Sequence, residues 1–598
     1  MAAPAGLGWP LRAAAQAEEA RPAQAARVLR YAFPISESSF DPAALTDVYS
    51  RAVTTHIFES LYTYDHLARP PRIVPLTAWG MPEVSEDFRV WTVRLQPGVL
   101  FGDDPAFRGQ PRELVAADVL YAFKRIADPV TKSPTWSNVD ALGFTGLAAA
   151  RQRAIQRKQP FDYDAPIEGL QVLDRHTVQF RTDEPRPRLI ETLAISGWYG
   201  AMAREVVGFY GDKVGEHPVG TGPFRLAQWR RSSRIVLERN PHYRMRLWAS
   251  EPAADDAEGQ AIAAKLRGRR LPLLDRVEIS IVEESQPRWL SFLNGQADLI
   301  DRVPPEFINV AMPGGVVAPN LARQHIHGER MLQPDIALTL YNMDDPVIGG
   351  YEPQQVALRR AINLAVDLDR EIRLVRQGMA VPAQSPVLPY TSGYSATFKS
   401  ENSEYNPARA QALLELYGYV DRDGDGWRER PDGSPLRLVY ATQPDQASRQ
   451  LNELWQKNMQ AIGVRIEFRA AKWPENLRAA RAGNLQMWGV GSSATSGDGQ
   501  DMLRRYHGKQ KGQQNLSRFG LQAFDAVFDR LSALPDGPER DALFDKAKRI
   551  AVAWAPYKLH VHRYAADMWH PWVVGYRRPP FWQDWWHMVD VDPALRPA

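Results

Sequence analysis

The sequence predicts an α/β fold too large for a single core, on three observations. The chain has 598 residues, well beyond the ~250–300 at which one hydrophobic core stops growing, so two or more lobes are expected. Runs with strand-like alternation recur between runs with a helical period. At residues 217–243 (HPVGTGPFRLAQWRRSSRIVLERNPHY) two β-patterned segments are joined by Arg-Arg-Ser-Ser and entered through Gly220-Thr221-Gly222-Pro223. That is the pattern of a hairpin behind a tight turn. The glycines are expected to supply backbone conformations forbidden to a Cβ, Pro223 to fix φ ahead of the first strand, and Asn240-Pro241 to end the second.

Composition narrows the function classes. Lys and Arg total 73 against 70 Asp and Glu, a net charge of +3, and no basic run alternates with aromatics, so no nucleic-acid partner is expected. There is no cysteine, which removes disulfides, thiolate metal sites and thiol nucleophiles together. This fits an oxidising compartment as well as a cytosol. No run of about 18 apolar residues occurs, so no membrane-spanning helix is expected. Residues 1–26 form a leader with two open readings. Ala15-Gln16-Ala17 before Glu18-Glu19 looks like a signal-peptidase site, whereas Met1 to Trp9 lacks a basic start and suits a disordered Ala-rich leader.

Along the chain, strands are expected at 27–33, 88–95, 172–181 (a pair), 277–282, 336–343, 436–440, 464–468 and 557–562. Helices are expected at 47–58, 115–126, 286–293, 406–417, 452–462, 524–531 and 538–554, with a long one at 356–375. Its apolar stripe is Leu358, Ile362, Ala365, Val366, Leu368 and Ile372. Asn406 with Pro407 and the terminal Gly463 supply start and stop signals. Residues 148–164 and 248–270, both charged, read as surface insertions. Asp421, Asp423, Asp425, Gly426 and Asp432 have the spacing of a calcium loop. A strand follows in place of an exiting helix, so no metal is expected, and no cofactor.

Several motifs keep a common order. They are Ser39-Phe40-Asp41-Pro42, Glu59-Ser60-Leu61, the LVAADVLYAF run at 114–123, PVGTGPF at 218–224, I-x-L-x-R-N-P-x-Y at 235–243, Ala297-Asp298-Leu299-Ile300, the helix at 360–370 and P-W-V-x-G-Y at 571–576. This set resembles the family 5 extracellular solute-binding proteins of bacterial ABC importers, the peptide- and nickel-binding group. A P-loop is excluded, because GTGPF lacks the Gly-Lys-Ser/Thr ending and the helix start that would receive phosphate.

The resemblance implies a periplasmic-binding-protein-like α/β clamshell of two lobes, with an accessory α/β domain in the first. It places the first lobe in 27–56, 167–334 and 557–598, the accessory domain in 57–166 and the second lobe in 335–556. It implies a monomeric periplasmic protein that encloses a peptide or other small organic solute and delivers it to an ABC permease and ATPase in the inner membrane. A sensor or chaperone without transport is the alternative reading, and a hydrolase a further one.

Catalytic patterns are not found. His325 with His327, and His560 with His562, share strand faces by spacing but have no acid at metal-ligand spacing, and there is no G-x-S-x-G elbow. The tryptophans of the C-terminal segment are expected in the core. For the ligand, Thr46, Asp47, Val48 and Tyr49 would face the cleft in relatives, or else Asp47 merely caps the helix. Peptide-binding relatives carry a Trp like Trp473 before a helix, then a G-W-x-x-D loop whose Asp pairs with the peptide α-amine. Here Ser492 and Thr495 stand at the Trp and Asp positions. Asp498, Trp488 or Asp47 are the expected substitutes.

Overall fold

The computed structural model describes residues 26–45 and 47–596. The leader at 1–25 and Thr46 lie outside the described residues. Three principal sheets organise the chain. In the first, Val28–Phe33 runs parallel to Arg276–Ile281, and the hairpin Arg234–Arg239 with Phe224–Arg230 continues antiparallel beside it. Leu29, Tyr31 and Phe33 alternate inward and bury against Trp585 and Trp586. Tryptophans from the far end of the chain thus close this core, because indole area is the largest apolar surface a single side chain can remove from water.

The Gly-Thr-Gly-Pro corner is built differently from the sequence expectation. Neither Gly220 nor Gly222 has a positive φ; what excludes a Cβ is close approach to the segment at 56–58. A Cβ on Gly220 would lie 2.1 Å from the Ile57 carbonyl oxygen, and one on Gly222 would lie 2.6 Å from the carbonyl oxygens of His56 and Ile57. The approach lets Gly222 N–H donate to Ile57 O at 2.8 Å. Thr221 Oγ1 donates to Glu59 Oε2 at 2.9 Å, and Arg244 pairs with the same carboxylate at 2.7 Å. Gly220→Ala should therefore cost about 1–3 kcal/mol by forcing backbone apart. Urea unfolding checks it, and a midpoint equal to the parent protein would contradict the packing.

In the second sheet, Val90–Arg94 pairs with Thr177–Arg181, flanked by Glu83–Val84 and Leu170–Asp174. This pairing brings residues 170–181 into one sheet with residues 83–94. The helix Ala116–Ala127 packs on it through Val119, Leu120 and Phe123. The helix Leu147–Arg157 has most of its surface in solvent, in keeping with its charge.

The third sheet runs Leu299–Ile300, Tyr557–Trp569, Asp335–Tyr341, Met487–Ser493, Arg437–Thr442, Arg465–Ala470. Tyr557–Trp569 is longer than its sequence pattern suggests. Its first half pairs with Asp335–Tyr341, and its second half with His327–Leu332 and Leu299–Ile300. Every residue but Arg563 and Tyr564 is buried, so the alternation that marks a half-exposed strand is lost. This strand joins Leu299–Ile300 and His327–Leu332 to the strands of residues 335–493 in one sheet.

Other expectations are corrected. The helix at 356–375 is two, Pro353–Ala365 and Leu368–Leu374, because Asp367 turns to cap the second by accepting from Arg370 N at 2.9 Å. Residues 248–270 are not a wholly solvated insertion. Trp248 is buried with Leu266, Val574 and Met588, and its Nε1 donates to Met588 O. His325 lies outside the strand with φ +56° and shares no strand face with His327. At the acidic turn, Asp421, Asp423 and Asp425 converge with Glu429, while Asp432 accepts from Ser434 instead. The Asp421 carboxylate is occupied by the N–H groups of Gly424 and Gly426. Asn406 caps Pro407–Leu416 as expected, accepting from Arg409 N at 3.0 Å.

Candidate functional site

A cavity of about 300 Å³ lies where two separate parts of the chain face each other. One wall comes from residues 138–199, with the short helices Leu189–Thr192 and Ser196–Tyr199. The other comes from residues 388–532, mainly the end of Met487–Ser493 and the loop that leads to Gln500–Leu503. That loop, Ala494-Thr495-Ser496-Gly497, is small and polar, so backbone and hydroxyls border the space instead of apolar bulk.

Charged side chains are concentrated on this lining. Asp498 is 5% exposed and accepts from Arg540, itself 1% exposed, at 2.8 Å and from Ser392 Oγ at 3.0 Å. Arg188 reaches across from the opposite wall. Its Nε stands 3.3 Å from Asp498 Oδ2, its NH1 bonds Glu191 at 3.0 Å, and its NH2 meets Asp536. Asp498 is thus already compensated from both sides. Arg504 meets Asp501 at 3.4 Å. Asp501 keeps 47% of its side chain open, yet surrounding protein pushes its carboxyl above the usual range.

Two guanidinium groups lack a carboxylate partner. Arg186 bonds the Leu142 carbonyl through Nε, and burial followed by the charge of Arg504 lowers its pKa. Arg505 donates to Ser492 Oγ at 2.7 Å, and burial lowers its pKa also. Buried polar atoms without a hydrogen-bond partner gather here: Arg188 Nε, Glu191 Oε2, Trp198 Nε1, Asp498 Oδ2, Arg504 Nε, Arg505 Nε and Ser532 Oγ. Most buried polar groups in folded proteins are paired. Such a gathering beside a cavity is what a polar ligand would complete.

Burial, and next the nearby Asp498 charge, pushes the Glu191 carboxyl up to about 7. A carboxyl raised on folding favours the folded state when protonated. Its contribution is full below about 4.5, the unfolded value, and is lost as pH rises through about 7. Glu191→Gln keeps the protonated shape. The variant is expected to match the parent's melting temperature near pH 5 and to exceed it at pH 8. Equal or lower melting at pH 8 would show that the Arg188 pair outweighs burial.

The expected ligand residues separate into three groups. Ser492, Thr495 and Asp498 all border the cavity. Trp473 and Trp488 neighbour each other, ring centroids 6.3 Å apart, but neither borders it. Trp488 is a core residue, while Trp473 is 50% exposed at the start of its helix. Asp47, Val48 and Tyr49 also lie off the cavity lining. Asp47 caps Val48–Thr54 by accepting from Ser50 N and also from Ser38 Oγ, and Tyr49 packs on Phe33. Sequence reasoning missed Arg186, Arg188, Glu191, Trp198, Arg504 and Arg505. Their signal was the density of arginine in Arg186-Pro187-Arg188 and Arg504-Arg505; the second pair follows Asp498 within seven residues, whereas the first meets it only in the folded chain.

Residues 72–514 match the bacterial extracellular solute-binding proteins, family 5. The chain belongs to that family. Among curated relatives, it is 26% identical over 580 residues to di/tripeptide-binding protein 2 of Pseudomonas aeruginosa, covering 95% of each. It is 24% identical to heme-binding protein A of Haemophilus influenzae, over 85% of this chain and 83% of that one. Among solved structures it is similar to the periplasmic binding protein DppA of Helicobacter pylori in complex with the peptide STSA. That match has a TM-score of 0.69 at 22% identity, covering 94% of this chain and 98% of that one. HbpA2 of Haemophilus parasuis gives 0.70 at 19%, covering 94% and 100%. These likenesses establish the two-lobe α/β fold. No helix among the described residues is long and apolar enough to cross a membrane.

Proposed function

We propose that this chain is the periplasmic binding component of an ABC importer and encloses a peptide of two or three residues, or a solute of that size, in the cavity between residues 138–199 and 388–532. The observation that carries the reading is that both walls contribute buried, unpartnered polar atoms to one cavity. A volume of about 300 Å³ lies at the small end of ligand pockets, which favours a short solute over a long peptide or a tetrapyrrole. The relative named for di- and tripeptides supports the same size. Closure would be selected by contacts that the solute makes to both walls at once, and the loaded form would then engage the permease and ATPase.

The reading keeps the first lobe at 27–56, 167–334 and 557–598, and the second at 335–556, with the accessory sheet drawing in residues 170–181. It assigns no catalysis. Glu371, His560 and Thr339 do form an acid–imidazole–hydroxyl chain, at 2.7 and 3.0 Å. All three are buried and none borders the cavity, so packing accounts for them. Calorimetry with a panel of di- and tripeptides tests the proposal. Saturable 1:1 binding is expected, and its absence across the panel would refute the peptide assignment.

A further inference from the structure

We propose that the cavity selects a net-anionic solute, with a carboxylate held between Arg186 on one wall and the Arg504-Arg505 pair on the other. The inference rests on the binding reading above and adds the charge of the solute to it. It follows from assigning each charge on the lining to its partner. Asp498 is taken by Arg540 and Arg188, Glu191 by Arg188, and Asp501 by Arg504. Each of these carboxylates thus has an arginine beside it, and the oxygens left without a hydrogen bond, Glu191 Oε2 and Asp498 Oδ2, belong to groups already paired in charge. On the other side of the account, Arg186 bonds only a backbone carbonyl and Arg505 only a hydroxyl, while the Nε atoms of Arg504 and Arg505 have no partner.

A guanidinium held away from water without a counter-charge is costly, and a hydrogen-bonded carboxylate is the group that compensates it. Arginine's planar fork also suits a carboxylate better than any neutral acceptor. The two cationic groups stand on opposite walls, so one carboxylate bridging them would reward closure as well as binding. An acidic side chain, or a terminal carboxylate on a peptide with a blocked amine, presents the same chemistry.

Calorimetry with four tripeptides separates the possibilities: Ala-Ala-Ala, Ala-Glu-Ala, Ala-Lys-Ala and N-acetyl-Ala-Ala-Ala. The two anionic peptides are expected to bind at least about tenfold more tightly than the other two. In Arg505→Gln, and separately in Arg186→Gln, the preference for Ala-Glu-Ala over Ala-Ala-Ala should fall toward one. Two variants on different walls guard against one that fails to fold. Equal or tighter binding of Ala-Ala-Ala or Ala-Lys-Ala overturns the charge selection and leaves the peptide reading intact. If no peptide binds, thermal melting with glutarate and with cadaverine decides. Stabilisation by the dicarboxylate alone keeps the anionic site without the peptide, and stabilisation by the diamine or by neither overturns it.

Discussion

Replacing Arg540 by alanine is expected to destabilise the protein by about 3–5 kcal/mol, the cost of leaving a buried charge without its partner. Arg540 is among the largest fully buried side chains among the described residues. It serves Asp498, Asp536, Gln500 and the Leu531 carbonyl at once, and its guanidinium lies over Phe544. Its position in the first turn of Pro538–Trp554 is unfavourable for a cation beside the helix dipole, so the carboxylates must hold it there. Removing it would expose Asp498 to Arg188 alone. The double variant Arg540→Met with Asp498→Asn should recover much of the loss, because no unpaired charge remains. Urea unfolding followed by tryptophan fluorescence reads both, and a single variant within about 1 kcal/mol of the parent would mean that water already reaches this pair.

Trp488→Ala carries the second large effect, also about 3–5 kcal/mol, the usual cost of emptying an aromatic site in a core. Trp488 is 0% exposed and packs in the cluster of Ile336, Leu338 and Phe519. Its Nε1 has no hydrogen-bond partner, so Trp488→Phe, which keeps ring contact and removes that N–H, should cost much less. Trp473→Ala should leave stability nearly unchanged, since half of that side chain is already in water. A Trp488→Ala variant as stable as the parent, but unable to bind solute, would return this residue from the core to the ligand wall.

The two tryptophans show where the sequence was informative and where it was not. Both are aromatic, both flank the Gly/Ser-rich segment, and only burial separates core from surface. The hairpin at 224–239 and the cap at Asn406 were legible because a turn or a cap is set by residues a few positions apart. The close approach of Gly220 to Ile57 was not, since it joins segments more than 160 residues apart, and a glycine needed for space looks the same as one needed for φ. The cavity was half legible. Ser492, Thr495 and Asp498 were reached through the resemblance, but Arg186, Arg188 and Glu191 lie some 300 residues earlier. No periodicity or spacing rule links groups that meet only when two parts of the chain face each other.

The solute is expected between residues 138–199 and 388–532, touching both walls. A crystal structure of the protein loaded with its solute tests this most directly. Ligand density is expected inside the cavity, with polar contacts to Arg186 on one side and Arg505 on the other. A solute bound beside Trp473 or Tyr49, or touching a single wall, would contradict it.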